Sequence, residues 1–213
     1  MKNKTEKLLA LLDGQPVIPV LKIGDVAHAV PLARALVAGG LPAIEITLRT
    51  PAALDAIRAV AKEVPEAVVG AGTILSGEDF VKAADAGSRF IVSPGSTPEL
   101  LETAEKSDVP LLPGATTPSE IMVLQARGYE ILKFFPAEQS GGLPFLKALA
   151  SPLAAIRFCP TGGISLKNAP DYLAQPNIVC VGGSWVAPDA DIEAGNWQRI
   201  EELAREASQL KKR

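Results

Sequence analysis

The sequence predicts an α/β chain closed into a (β/α)₈ TIM barrel, and three observations carry that prediction. Short apolar runs alternate with longer amphipathic ones from end to end. The short runs start about 21–26 residues apart, close to the length of one βα unit. Several longer runs carry proline in their first turn, where its missing N–H is not needed. Alternating strands and helices imply a parallel sheet with right-handed crossovers. Eight strands is the number that closes into a barrel, whereas open doubly wound sheets more often have five or six. One compact domain over residues 1–213 is expected, with an extra helix at the N-terminus.

In chain order, residues 1–15 form a charged amphipathic stretch bearing Lys2, Lys4, Glu6 and Lys7. The first strand is read over 17–21, although Pro19 cannot donate to a ladder. A helix over 26–37 follows and holds His28. The second strand is read over 43–48 and its helix over 51–62. A third strand over 68–72 leads to a helix over 77–86, and a fourth over 89–93 to a helix over 98–106. A fifth strand over 110–112 precedes a helix over 118–127. The last three strands are read over 131–135, 156–160 and 178–182. Residues 197–213 read as a terminal helix that frays into a basic tail.

Composition excludes several function classes. Hydrophobic residues make up 47% and charged residues 21% of the chain, a balance that supports a core without disulfides or structural metal. The net charge is -3 with Lys and Arg scattered, unlike a nucleic-acid footprint. The N-terminus lacks the apolar core of a secretory signal, and no apolar run is long enough to span a bilayer. Cys159 and Cys180 have no metal-ligand spacing and read as buried thiols of a reducing compartment, so cytoplasm is expected. His28 is the only histidine. It leaves almost nothing from which to build a zinc site or a Ser-His-Asp triad, and reads as a surface or packing residue. No metal or other cofactor is expected.

Strand parity places polar residues where a barrel makes them expensive. Ile44, Ile46 and Leu48 suit the helix side, which leaves Glu45, Thr47 and Arg49 facing inward. In the sixth strand Leu132 and Phe134 suit the helices, leaving Ile131, Lys133 and Phe135 inward. Thr73 shares the parity of Val69 and Ala71, and Cys159 and Thr161 point inward by the same rule. Barrel interiors are normally filled by branched apolar side chains, and a lone carboxylate there costs several kcal/mol. A structural ion pair would account for any one of these residues. Convergence of Glu45, Arg49, Thr73, Lys133 and Thr161 toward the C-terminal strand ends favours a site.

The chemistry these side chains offer is that of an imine. A lysine in a partly dry pocket beside another cation has its ammonium form disfavoured, and its free amine attacks a ketone. The protonated imine then serves as an electron sink for cleaving the adjacent carbon–carbon bond. Glu45 is placed to move protons, Arg49 offers a two-pronged donor for a carboxylate, and Thr73 adds a hydroxyl. A 2-keto acid is the implied partner. Lys22, at the end of the first strand, is a competing amine that reads as solvent-facing. Two glycine-rich turns, Thr161-Gly162-Gly163-Ile164-Ser165 and Gly182-Gly183-Ser184-Trp185, follow the last two strands, where barrels cradle phosphate. Trp185 reads as packing.

These residues resemble the bacterial 2-keto-3-deoxy-6-phosphogluconate (KDPG) and 4-hydroxy-2-oxoglutarate (KHG) aldolases of the Entner–Doudoroff pathway. Gly40-Leu41-Pro42-Ala43-Ile44-Glu45-Ile46-Thr47-Leu48-Arg49 is similar to that family's glutamate motif. Gly128-Tyr129-Glu130-Ile131-Leu132-Lys133-Phe134-Phe135-Pro136-Ala137, closed by Gly141, is similar to its Schiff-base motif. Similarity extends to Val69-Gly70-Ala71-Gly72-Thr73, Ser93-Pro94-Gly95 and the two glycine turns, and covers essentially the whole chain. The segments Gly95-Ser96-Thr97 and Pro113-Gly114-Ala115-Thr116-Thr117 are less typical of it.

The resemblance implies a carbon–carbon lyase that reversibly cleaves the phosphorylated keto-deoxy sugar acid to pyruvate and glyceraldehyde 3-phosphate, with related activity on 4-hydroxy-2-oxoglutarate. It also implies a cytoplasmic homotrimer whose partners are small molecules, a 2-keto acid and a phosphorylated aldehyde, with no nucleic acid or membrane. By motif, Lys133 is the Schiff-base lysine and Glu45 the general acid and base. Arg49 and Thr73 hold the pyruvyl carboxylate with Thr161 nearby. Gly162, Gly163, Gly183 and Ser184 bind phosphate, and Pro94 and Phe135 shape the pocket. Two other readings remain: a sibling aldolase for the galactonate epimer or an unphosphorylated keto acid, and a non-catalytic phosphosugar-binding barrel.

Overall fold

A computed structural model describes residues 2–12 and 14–210. Its strands are β1 (Val17–Leu21), β2 (Ala43–Thr47), β3 (Val68–Gly72), β4 (Phe90–Val92), β5 (Leu111–Leu112), β6 (Ile131–Phe134), β7 (Arg157–Pro160) and β8 (Val181–Gly183). All named pairings are parallel, in the order β5-β4-β3-β2-β1-β8, with β6 beside β7. Isolated bridges close the ring. Gly114 pairs with Lys133 to join β5 to β6, and Phe158 with Ile178 and Thr161 with Gly182 join β7 to β8. The eightfold barrel is therefore complete.

The helices are α1 (Lys2–Leu12), α2 (Ala29–Ala38), α3 (Ala53–Glu63), α4 (Gly77–Asp85), α5 (Pro98–Lys106), α6 (Pro118–Ala126), α7 (Gly142–Leu149), α8 (Ala169–Leu173), α9 (Asp189–Glu193) and α10 (Trp197–Ser208). Local chemistry sets several starts. Thr97 and Thr117 cap α5 and α6, each with proline in the first turn, and Glu120 completes a capping box at α6. Many boundaries differ from the sequence reading by one or two residues, and the last strand, read over 178–182, is found at Val181–Gly183. Two larger differences are at helix ends. The helix expected over 26–37 begins as a 3-10 turn, Val26–His28, capped by Asp25, before α2 starts. Helix α10 ends at Ser208, and residues 211–213, the expected basic tail, lie outside the described residues.

Pro19 fits because β1 pairs with β8 over Val17–Pro19 and with β2 only from Val20 onward. The buried side chain of Gln15 completes that edge, donating to the carbonyls of Val17 and Ala43 and accepting from the Ala43 N–H. The core has two compartments. Ile44, Ile46, Val69, Ala71, Leu132, Phe134 and Phe158 pack between strands and helices. Ile18, Ala43, Phe90, Val92, Leu112, Ile131, Cys159 and Cys180 fill the barrel, with Leu8 and Leu12 of α1 packed among them. The N-terminal amphipathic stretch thus packs its apolar face into the barrel interior. The two cysteines are buried thiols whose Sγ atoms lie 3.1 Å apart. His28 packs edge-on against Trp197 and so has the packing role expected of it. Among the described residues no helix is long and apolar enough to cross a membrane.

Candidate active site

Lys133 and Glu45 meet inside the barrel. Lys133 is fixed on both sides by backbone hydrogen bonds, donating to the Pro113 carbonyl at 2.9 Å and accepting from the Ala115 N–H at 3.0 Å, and it pairs with Cys159 on β7. Glu45 pairs with Val20 on β1 and with Gly70 on β3. The lysine Nζ lies 3.2 Å from the glutamate Oε1, and their side chains are only 7% and 4% exposed. The Phe135 ring centroid is 5.4 Å from the same Nζ. Almost nothing remains empty around the pair, since the inner space bordered by Leu112, Cys159 and Thr161 measures about 10 Å³. Removing two charges from water costs several kcal/mol per ion before their attraction offsets it, so the pair is a poor stabilising device.

Gly72 makes room for the carboxylate. A Cβ at this position would lie 2.6 Å from both Cγ and Cδ of Glu45, and nearer still to Oε1. No side chain larger than hydrogen fits there without moving Glu45.

A cavity of about 260 Å³ is built by the C-terminal strand ends. Arg49, Phe135, Thr161, Gly162, Gly163 and Ser184 line it. Thr161 and Gly182 border both this cavity and the inner space beside Lys133, whereas Lys133 and Glu45 line only the inner space. Arg49 lies just beyond β2. Its Nε donates to Thr47 Oγ1 at 2.9 Å, and that hydroxyl donates to the Leu21 carbonyl at 2.7 Å. This chain of bonds fixes one edge of the guanidinium, and among the described residues no carboxylate neutralises the other.

The Gly162-Gly163 turn has φ of 101° and 76°, a region that only glycine enters without strain. It is tied to the loop after β6, whose Ala137 and Glu138 N–H groups donate to the carbonyls of Thr161 and Gly162. Asn168 closes the other side, accepting from Ser165 N–H and donating to the Gly163 carbonyl. The Glu138 carboxylate also accepts from the Tyr172 hydroxyl of α8. Burial, followed by this carboxylate, pushes the phenol of Tyr172 above its ordinary range.

Three expected residues sit elsewhere. Val69 and Ala71 face the helices, and Gly70 and Gly72 face the barrel, which reverses the parity assumed for β3. Thr73 then leaves the strand with φ 60°, so alternation no longer determines its direction, and it is not among the residues lining the cavity. Pro94 packs its carbonyl against Gly114 and also stands outside the lining. Gly183 faces the ring of Trp185, which leaves no space for a Cβ, and its neighbour Gly182 lines the cavity instead. Phe135 lies past the end of β6, with 39% of its surface exposed, rather than inside the strand. Lys22 is exposed, as read from the sequence, yet it lines the cavity together with Asp189. Neither was expected there. For Gly72 the sequence did carry a signal, the alternation of glycine along Val68-Val69-Gly70-Ala71-Gly72.

Comparison with known proteins places these features in a family. The family model for KDPG and KHG aldolases matches residues 9–203. The KHG/KDPG aldolase of Escherichia coli is 50% identical over 207 residues, 97% of each chain. The crystal structure of the 2-keto-3-deoxy-6-phosphogluconate aldolase of Zymomonas mobilis with 3-phosphoglycerate superposes with a TM-score of 0.92 at 48% identity, covering 98% of each chain. The KDPG aldolase of Legionella pneumophila, with pyruvate captured as a covalent carbinolamine, superposes with a TM-score of 0.90 at 45% identity, covering 92% of this chain and 95% of that one.

Proposed function

The chain belongs to the KDPG and KHG aldolase family and is a carbon–carbon lyase of the class I type, and we propose that Lys133 is its imine-forming residue. The observation that carries this assignment is the buried contact of Lys133 Nζ with Glu45 Oε1 at 3.2 Å, with the ring of Phe135, which lines the cavity, 5.4 Å from the same Nζ. Such a pair costs solvation, and a reaction that needs an amine and a proton carrier together accounts for it.

In the cleavage direction the Lys133 ammonium passes a proton to Glu45, the amine adds to the ketone carbon of the 2-keto acid, and Glu45 returns that proton to the departing hydroxyl, so that the carbinolamine loses water to give a protonated imine. Glu45 removes the proton of the hydroxyl two carbons from the imine. The bond between that carbinol carbon and the methylene carbon breaks, and its electrons pass to the iminium nitrogen. The aldehyde departs, Glu45 returns the proton to the enamine carbon, and water releases pyruvate from Lys133. Each carbon and proton is accounted for without a further co-reactant.

Arg49 takes the carboxylate through its free edge. Thr73 joins it in this reading. It directly follows Gly72, the residue paired with Thr47, and a β-branched residue at φ 60° is the kind of strain found at ligand-contacting turns. Phe135 shapes the pocket, and Gly162, Gly163 and Ser184 hold the phosphate. Phosphorylated KDPG and unphosphorylated 4-hydroxy-2-oxoglutarate are both substrates in this assignment, as the name of the Escherichia coli relative has it. The protein works as one barrel domain, assembled as a homotrimer in the cytoplasm.

The test is reductive trapping. Incubation with pyruvate and borohydride adds one pyruvyl group, which peptide mapping finds on Lys133, and Lys133→Ala takes up none. An adduct on another lysine, or none in the unaltered protein, overturns the assignment.

A further inference from the structure

Lys22 follows β1 directly, and its exposed side chain lines the same cavity as Gly162, Gly163, Gly182 and Ser184. It also lines an adjoining cavity of about 200 Å³ with Asp25, His28, Asp189 and Glu193. Among the described residues no carboxylate forms an ion pair with it. The reaction assigned above uses Lys133 as the amine and leaves Lys22 without a role.

We propose that Lys22 is the phosphate-recognising cation of this site, the residue that makes the enzyme prefer substrates phosphorylated at the end remote from the ketone. The inference rests on the aldolase reading and extends it by charge matching. The phosphorylated substrate brings two anionic ends into one cavity. Of the cations lining it, Arg49 is anchored through Thr47 and serves the carboxylate. Glycine turns supply N–H dipoles to a phosphate but no whole charge, whereas the phosphate carries about -1.5 to -2. Asp189 lines the same cavity and repels an anion. A full positive charge is therefore needed at the glycine end, and Lys22 is the lining residue that supplies it.

Acidic residues in the adjoining cavity give the recognition its selectivity. Without a phosphate the ammonium faces Asp25, Asp189 and Glu193 on one side and the glycine turns on the other. An uncharged substrate tail offers it nothing, so only the phosphorylated substrate gains from the residue. Lys22 acts on binding rather than on the chemical step.

Steady-state kinetics of Lys22→Met and Lys22→Arg with KDPG and with the same keto-deoxy sugar acid lacking its phosphate, whose remote end is a neutral hydroxyl, test this. The ratio of kcat/KM for the phosphorylated over the unphosphorylated substrate falls about tenfold in Lys22→Met, mainly through KM for KDPG. Lys22→Arg keeps the ratio within a few-fold of the original. Added salt lowers the ratio in the unaltered enzyme more steeply than in Lys22→Met, because the contact lies near solvent. A ratio unchanged in Lys22→Met, or a fall of equal size for both substrates, overturns the inference. No turnover of either substrate by the unaltered enzyme sinks the aldolase reading instead, so the two failures are distinguishable.

Discussion

Replacing Gly72 with alanine tests whether the barrel reserves space for the Glu45 carboxylate. The new Cβ would stand 2.6 Å from Cγ and Cδ of Glu45, where ordinary contact begins at 3.4 Å. Relief requires more than an ångström of movement, because Oε1 lies nearer still. Backbone gives little, because Gly72 is paired with Thr47 and its carbonyl accepts from the Leu48 N–H at 2.8 Å. The flexible partner is the glutamate side chain, which swings away from Lys133. A misplacement of about 1 Å in a catalytic group costs on the order of 100-fold in rate, and overpacking costs about 1–3 kcal/mol of stability. Turnover of KDPG should fall by about two orders of magnitude. Thermal melting should drop by about 2–4 °C for each kcal/mol lost. The cause is separable in a double-mutant cycle, because truncating Glu45 to alanine removes the obstacle. In that background Gly72→Ala should cost almost nothing in stability, so the two changes couple by about 1–3 kcal/mol. Additive stabilities, or near-normal turnover in Gly72→Ala, would refute the reasoning.

Two further outcomes follow from the hydrogen bonding. Thr47→Val removes both the donor to the Leu21 carbonyl and the acceptor for Arg49 Nε. It should raise KM for both keto acids by about tenfold while leaving the site of borohydride trapping on Lys133, and an unaltered KM would deny Arg49 its carboxylate role. Glu120→Ala breaks the capping box at α6, and thermal denaturation at neutral pH should show a loss of about 1 kcal/mol. Hydrogen bonds from the N–H groups of Thr116 and Thr117 hold the Glu120 carboxyl below its ordinary value of 4.5, despite some opposing burial. A depressed folded-state pKa gives stability that is fully present above the unfolded value and is lost as pH falls through the folded one. The gap between the original and Glu120→Ala should therefore narrow below about pH 4, and a gap that widens with acid would contradict the cap.

Most of the barrel was legible in the sequence because its elements obey local rules. Strand positions followed apolar runs to within about three residues, and α5 and α6 began at the prolines that marked their first turns. Parity on β2 and β6 was read correctly because in each the apolar partners, Ile44 with Ile46 and Leu132 with Phe134, are large enough to identify the helix-facing side. Phe135 and Arg49 came into the cavity although both lie beyond their strands, since a strand end projects its last inward residues toward the mouth. Lys22 was misread for a simple reason. Exposure was inferred correctly, but an exposed residue at a C-terminal strand end borders the mouth all the same.

Strand β3 failed the parity rule, and the failure is informative. The sequence reading puts Val69, Ala71 and Thr73 on one inward face by alternation alone. In the folded barrel the glycines are inward because larger neighbours already occupy their space: the Phe90 ring lies over Gly70 and the Glu45 carboxyl over Gly72. Glycine within a strand gives up packing and entropy, so it signals a close approach by another group. The group approaching Gly72 is the carboxylate opposite Lys133. Local propensity and fold thus disagree at the position where a charged side chain had to be accommodated, as expected where sequence rules yield to function. The same logic explains Thr73. Having given β3 glycines to hold Glu45, the chain turns out of the strand through a left-handed threonine at a cost of about 1–3 kcal/mol. A packing role would be served more cheaply by glycine there, so the strain points to a use for the threonine hydroxyl.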